Sequence, residues 1–69
     1  MDLVGLFGRN VKRERLRQGL TQDALAAEAG MRRSYLSDLE RGNRNPTVHA
    51  LGRLAMALNV PPVDLLRSD

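Results

Sequence analysis

The shortness of this chain, 69 residues without a single cysteine, is the feature that most limits what it can fold into. A domain of this size has room for one small apolar core, and no disulfide bond or thiolate metal site can reinforce it. Tightly packed helices, or association with a second copy, must supply the stability instead. Because aromatic residues make up only 3% and the apolar content is mainly Leu, Ala and Val, we expect one all-α domain spanning residues 1–69.

Start and stop signals divide the chain into five predicted helices. Residues suited to capping a helix start precede the first, second and fourth helices, at Asp2, Thr21 and Thr47. A last short helix, about 61–67, opens at Pro61 and Pro62. The residues suited to the left-handed conformation after a helix are Gly19, Gly30, Gly42 and Asn59. The expected architecture is a compact five-helix bundle without strands.

Apolar residues recur at helical spacing and predict the face that each helix turns inward. The predicted inward residues are Leu3, Phe7 and Val11 in helix 1; Leu25, Ala26 and Ala29 in helix 2; Leu36 and Leu39 in helix 3; and Val48, Leu51, Leu54, Ala55 and Leu58 in helix 4. Helix 5 carries the apolar residues Val63, Leu65 and Leu66, some of which must cover the core.

The stretch 22–40 has the pattern of a helix-turn-helix motif. Ala26 supplies the small residue needed where the two helices cross, and Gly30 tolerates the positive φ that the turn requires. An ordinary helical hairpin with a polar outer face is the alternative interpretation. The outer face of helix 3 favours the motif, because its side chains can read base edges or hold phosphates. These side chains are Arg32, Arg33, Ser34, Tyr35, Ser37, Asp38 and Arg41.

The charge balance points to an anionic partner. The formal net charge is +3, and ten of the eleven basic residues are Arg, whose planar fork matches phosphate and guanine. Part of this excess has a structural explanation, because Arg13, Arg15 and Arg17 complement the negative end of the helix 1 dipole.

Several classes of protein are excluded. No apolar run is long enough for a membrane span or a signal peptide, so we expect a cytoplasmic protein without membrane contact. The single histidine, His49, is expected to be solvated, and no residues form a catalytic or metal-ligand pattern. We therefore expect neither an enzyme nor a bound cofactor or metal.

Longer motifs connect the chain to a known family. They are Arg15-x-x-x-Gly19-Leu20-Thr21-Gln22, Leu25-Ala26, Ala29-Gly30, Ser34-Tyr35-Leu36-Ser37-x-Leu39-Glu40-Arg41-Gly42, Arg44-Asn45-Pro46-Thr47 and Leu54-Ala55-x-Ala57-Leu58. With these motifs the chain resembles the Xre/Cro family of helix-turn-helix DNA-binding domains, from Phe7 to Leu66. The resemblance implies a fold of the lambda-repressor type and binding to double-stranded DNA.

The resemblance also implies which residues contact DNA. Arg33, Ser34 and Asp38 match the positions that face base edges, and Arg33 can bond guanine O6 and N7 together. Asp38 accepts from a cytosine amino group or, as we favour, pairs with a neighbouring Arg. Tyr35 either contacts the DNA backbone, which we favour, or packs on the neighbouring helix. The residues expected at the DNA backbone are Thr21, Gln22, Arg32, Tyr35, Ser37, Arg41, Asn43, Arg44 and Asn45.

An ion pair and the start of helix 3 are interpreted as structural features. Arg15 and Glu40 match a pair that bridges helix 3 to helix 1 in the family, so Arg15 is not counted among the DNA contacts. Arg32 stands where the family often has a Ser or Thr cap, which leaves the start of helix 3 less well capped by about 1 kcal/mol. A phosphate contact from Arg32 would offset this cost when DNA is bound.

So small a domain is expected to act as a homodimer on a palindromic operator, with its recognition helix 32–40 in the major groove. The resemblance places the dimer contact on the C-terminal helix, where the available apolar residues are Val60, Pro61, Val63, Leu65 and Leu66. The chain looks like a stand-alone transcriptional regulator, either a Cro-like repressor or a restriction–modification controller protein. Contact with RNA polymerase is expected if it activates transcription. The alternative is an antitoxin or another protein-interaction module on the same fold.

Overall fold

A computed structural model describes residues 1–68, so Asp69, the last residue of the predicted domain, lies outside the described residues. The elements are α1 (Leu3–Arg17), α2 (Gln22–Ala29), α3 (Arg33–Glu40), α4 (Val48–Leu58) and a C-terminal 3-10 helix (Pro62–Leu66). Residues 1–68 contain no strand, which confirms the all-α fold class. Within that range no helix combines the length and the apolar character needed to cross a membrane.

The predicted helix boundaries are confirmed by their hydrogen bonds. The Asp2 carboxylate accepts from the Gly5 N–H at 2.9 Å, and the Thr21 hydroxyl accepts from Ala24 at 3.0 Å. Thr47 caps α4 in the same way. The residues with positive φ are Gly19, Gly30, Gly42 and Asn59, all in the turns that follow helices. Side-chain caps therefore set where α1, α2 and α4 begin, and residues that tolerate positive φ follow the end of each α-helix.

The prediction of a fifth α-helix is wrong. Pro61 and Pro62 have no N–H to donate, and the Asp64 N–H bonds to the Pro61 carbonyl at 2.9 Å, the shorter spacing of a 3-10 helix. The carbonyls that would accept in a longer helix bond elsewhere, because Asn10 Nδ2 donates to Leu65 O at 3.0 Å and to Arg67 O at 2.9 Å. The described chain is thus a bundle of four α-helices closed by one 3-10 turn.

The core contains most of the apolar residues predicted to face inward. Its largest fully buried side chains are Phe7, Val11, Leu25, Leu36, Leu39, Leu54, Leu58 and Leu65. Two predicted inward residues are instead largely exposed: Leu3 by 49% and Val48 by 85%. Both lie in the first turn of their helix, at the border of an open groove rather than under another element. Ala50 is the buried residue at the start of α4.

Helices α1 and α3 touch backbone to backbone, a contact that the sequence analysis missed. A Cβ atom added at Gly8 would lie 2.1 Å from the Leu39 carbonyl oxygen, far inside van der Waals distance. Only a residue without a side chain fits there. This close approach seats α3 directly on α1.

Candidate nucleic-acid interface

The turn between α2 and α3 has the geometry expected of a helix-turn-helix. Gly30 adopts φ 69° and ψ 37°, and the Met31 N–H bonds back to Ala26 O at 2.9 Å. Ala26 is 2% exposed. Helix α3 buries Leu36 and Leu39. Its polar residues therefore face away from the core, on a helix that the turn holds rigidly.

The outward surface of α3 carries the residues predicted to contact DNA. Arg32, Arg33 and Ser34 are exposed, and Ser37 and Asp38 are half-buried. The helix start has no side-chain cap from Arg32, as its residue type predicted. The predicted loop residues that follow α3 are also exposed: Arg41, Asn43, Arg44 and Asn45. The structure thus brings a recognition-helix surface and a basic loop together.

A buried ion pair connects this surface to α1. Arg15 Nε lies 2.7 Å from Glu40 Oε2, and Arg15 Nη2 lies 2.9 Å from Glu40 Oε1, so the pairing is bidentate. The hydrogen bond to Glu40 raises the pKa of Arg15, and burial only partly opposes this. Arg15 Nη1 also donates to Leu20 O, and Gln22 Nε2 donates to Glu40 Oε1 at 3.0 Å. The network therefore ties α1 to the start of α2 and the end of α3.

Arg33, Arg41 and Arg44 of the predicted interface already have carboxylate partners in the free protein. Arg33 Nε lies 3.5 Å from Asp23 Oδ1, with both side chains mostly exposed. Arg41 Nη2 lies 2.5 Å from Asp38 Oδ1. Exposed pairs of this kind contribute only about 0–1 kcal/mol, so DNA phosphates can displace them. Of the two interpretations of Asp38, pairing with a neighbouring Arg is the one seen in the protein alone.

Tyr35 packs against the edge of the core and also supports the loop. The guanidinium carbon of Arg44 lies 4.9 Å from the centre of the Tyr35 ring, within the range of a cation–π contact. Arg44 Nη2 is 3.9 Å from Asp38 Oδ2 as well. The sequence analysis did not anticipate that these three side chains form one cluster.

Of the residues predicted at the dimer contact, Leu65 is ruled out, because it is 1% exposed in the domain's own core. Val60 packs partly against that core, whereas Pro61, Val63 and Leu66 remain exposed. An apolar groove of about 260 Å³ lies beside Leu66 and was missed. Its apolar lining is Leu3, Val4, Phe7, Pro46, Val48, Leu51 and Leu66. Leu3 and Val48 lie in the first turn of their helices, at the ends of the apolar stripes, and these positions could have indicated the groove.

The metal-ligand pattern that the sequence lacks is not formed by the fold of the described residues either. In the range 1–68, no three His, Asp or Glu residues are placed to hold a metal ion. His49 is exposed in the first turn of α4.

Comparison with known proteins agrees with this architecture. The sequence model of the helix-turn-helix family HTH_3 matches residues 11–65. The HTH-type transcriptional regulator y4dJ of Sinorhizobium fredii, itself uncharacterized, is 50% identical over 66 residues, which cover 96% of this chain and 86% of that protein.

Solved structures share the fold as well. The restriction–modification controller protein C.AhdI from Aeromonas hydrophila matches with a TM-score of 0.88 and 37% identity, over 90% of this chain and 94% of its own. The controller protein C.Esp1396I, crystallised as a tetramer with its natural 35 base-pair operator, matches with a TM-score of 0.85 and 33% identity, over 91% of this chain and 83% of its own.

Proposed function

Because this chain belongs to the helix-turn-helix family HTH_3, we propose that it is a sequence-specific DNA-binding transcriptional regulator. The observation that carries the proposal is the placement of α3, which is rigidly seated by the turn at Gly30 and by the backbone contact at Gly8. Its polar face and the basic loop after it form one exposed surface. The proposed activity is binding, and we assign it no catalytic step.

On DNA, α3 enters the major groove, where Arg33 and Ser34 are the residues proposed to meet base edges, while Asp38 stays paired with arginines of the loop. Arg33 leaves its exposed pairing with Asp23 to do so. The proposed backbone contacts fix the position of the protein along the duplex without reading sequence. They are Thr21, Gln22, Arg32, Tyr35, Ser37, Arg41, Asn43, Arg44 and Asn45.

Gln22 combines two roles in this proposal. One N–H of its side-chain amide bonds to Glu40, and the second N–H of the same group remains for a phosphate oxygen. The phosphate then also meets the positive end of the α2 dipole. The buried Arg15–Glu40 pair thus positions a DNA contact without touching DNA itself.

Two copies of the domain are proposed to bind a palindromic operator, with their α3 helices one DNA turn apart, roughly 34–36 Å. The surface proposed to join them is the exposed apolar border of the groove, continued along the C-terminal 3-10 helix. Its residues are Leu3, Val48, Val60, Pro61, Val63 and Leu66. Where such a dimer activates a promoter, contact with RNA polymerase is part of the proposal.

A titration of the protein against genomic DNA fragments at two salt concentrations tests the function. Sequence-specific binding predicts that some fragments are preferred and that the preference survives added salt. A protein that binds only through charge, or whose activity is to hold another protein, loses affinity for all fragments together.

Two substitutions separate the proposed roles on the DNA surface. Arg33→Ala should relax the preference at one base pair in each half-site, at a cost of about 1–3 kcal/mol in binding free energy. Arg44→Ala should weaken binding to every sequence alike, because a phosphate contact carries no sequence information. An equal loss from both variants on every sequence would refute the assignment.

A further inference from the structure

The carboxylate of Asp38 lies between two guanidinium groups of the loop that follows α3. Its Oδ1 is 2.5 Å from Arg41 Nη2, and its Oδ2 is 3.9 Å from Arg44 Nη2. The backbone carbonyl of Asp38 also accepts from the Asn43 N–H at 2.9 Å. One residue on the recognition helix therefore holds three positions of the loop.

We propose that Asp38 is an internal competitor for the two arginines that bind DNA phosphates. The proposal rests on the proposed function, which places Arg41 and Arg44 at the DNA backbone. A carboxylate and a phosphate offer a guanidinium the same kind of charged oxygen acceptors. DNA must therefore displace the carboxylate of Asp38 or share the arginines with it.

This arrangement has two consequences for binding. Before DNA arrives, the Arg44 guanidinium lies between the carboxylate of Asp38 and the Tyr35 ring, so it is already placed beside α3. On DNA, the negative charge of Asp38 offsets one of the two positive charges and limits affinity for any sequence. A small Arg-rich regulator is thereby kept from binding tightly to unrelated DNA.

The geometry favours this role over base reading. Both oxygens of Asp38 face arginines, and only 34% of its side chain is exposed. A base contact would require the carboxylate to leave Arg41, with which it forms the shorter of its two pairings. The two roles predict different outcomes when the charge alone is removed.

Asp38→Asn removes the charge and keeps an oxygen acceptor of the same shape. At about 0.1 M salt we expect close to tenfold tighter binding for each bound copy, to both the operator and an unrelated duplex. The slope of log K against log salt should steepen by about 0.9 for each bound copy, the value for one further neutralised phosphate, and so by about 1.8 for a dimer. A purely structural role for Asp38 would leave this slope unchanged.

Glu14→Gln is the control. Glu14 forms an i,i+3 pair with Arg17, whose side chain is 68% exposed, close to the 62% of Arg41. It lies on α1, outside the residues proposed to contact DNA and outside the surface proposed to join two copies. With dimerisation of each variant measured first, Glu14→Gln should change DNA affinity less than twofold.

A second variant tests whether Asp38 acts through the arginines. The gain in DNA affinity from Asp38→Asn should largely disappear in a protein that already carries Arg41→Gln and Arg44→Gln. An undiminished gain in affinity there, no gain in the single variant, or an equal gain from Glu14→Gln would overturn the proposal. So would a changed preference at one base pair, which indicates base reading. If the wild-type protein prefers no fragment at all, the proposed function fails instead.

Discussion

Glu40 shows how one buried side chain can organise a surface that it does not belong to. Its two carboxylate oxygens accept three hydrogen bonds, two from Arg15 and one from Gln22. All buried polar side-chain atoms within residues 1–68 have partners, and this network accounts for several of them. A buried ion pair adds little net stability when it is intact, but removal of one partner leaves an uncompensated charge.

Arg15→Met is therefore expected to lower the free energy of unfolding by about 3–5 kcal/mol, because Glu40 stays buried with Gln22 alone as a neutral partner. The double variant Arg15→Met, Glu40→Leu should be more stable than this single variant, since no unpaired charge remains. Urea denaturation followed by circular dichroism measures both. A double variant no more stable than the single one would contradict this account.

At the scale of elements, the contact between α1 and α3 depends on a missing side chain. Both helices present apolar stripes, but their backbones meet at Gly8 and Leu39. Gly52 in α4 is different, because a Cβ atom there would meet nothing within 4 Å. The same residue type in two helices therefore has opposite consequences.

Gly8→Ala is expected to destabilise the protein by about 1–3 kcal/mol, because the methyl group forces α1 away from α3. Gly52→Ala should instead stabilise it by about 0.5–1 kcal/mol, the ordinary gain of Ala over Gly inside a helix. Thermal unfolding of the two variants gives the comparison. Gly8→Ala should also weaken DNA binding at temperatures where the protein remains folded, because α3 is displaced. Equal effects from the two substitutions would argue against the close contact.

The whole molecule has two distinct surfaces. One is the polar, Arg-rich surface of α3 and its loop, and the other is the apolar border around Leu3, Val48 and Leu66. Its Cα radius of gyration is only 10.4 Å, so one domain offers DNA a small contact area. Proteins of this size commonly gain affinity by presenting two such surfaces together. The apolar border is the surface that we propose for pairing.

Val48→Glu is expected to weaken self-association at least tenfold, because a charge would be buried in the proposed interface. Leu16→Glu is the control, since Leu16 is an apolar residue 57% exposed on α1 and lies outside both the groove and the C-terminal segment. Sedimentation equilibrium of the two variants measures the dimer constant. Equal association in both would place the dimer surface elsewhere on the domain.

Much of the fold followed from the sequence because the signals are local. Asp2, Thr21 and Thr47 cap helices by bonding three residues ahead, and the positive φ of Gly30 depends only on its own lack of a side chain. The C-terminal segment was misjudged for the opposite reason. Its conformation depends on Asn10, which is 55 residues away from the carbonyl of Leu65.

For the candidate site too, local features were predictable from the sequence and contacts between elements were not. The sequence by itself determined that a polar, Arg-rich helix follows a tight turn, because spacing and residue type suffice to specify both. A pairing of Asp38 with a neighbouring Arg was expected, but three features emerge only in the folded protein: that Asp38 pairs with both Arg41 and Arg44, that Leu65 belongs to the core, and that Gly8 is a point of contact. These features arise where separate elements pack together, and the free energy of packing depends on three-dimensional distances that periodicity along the chain does not contain.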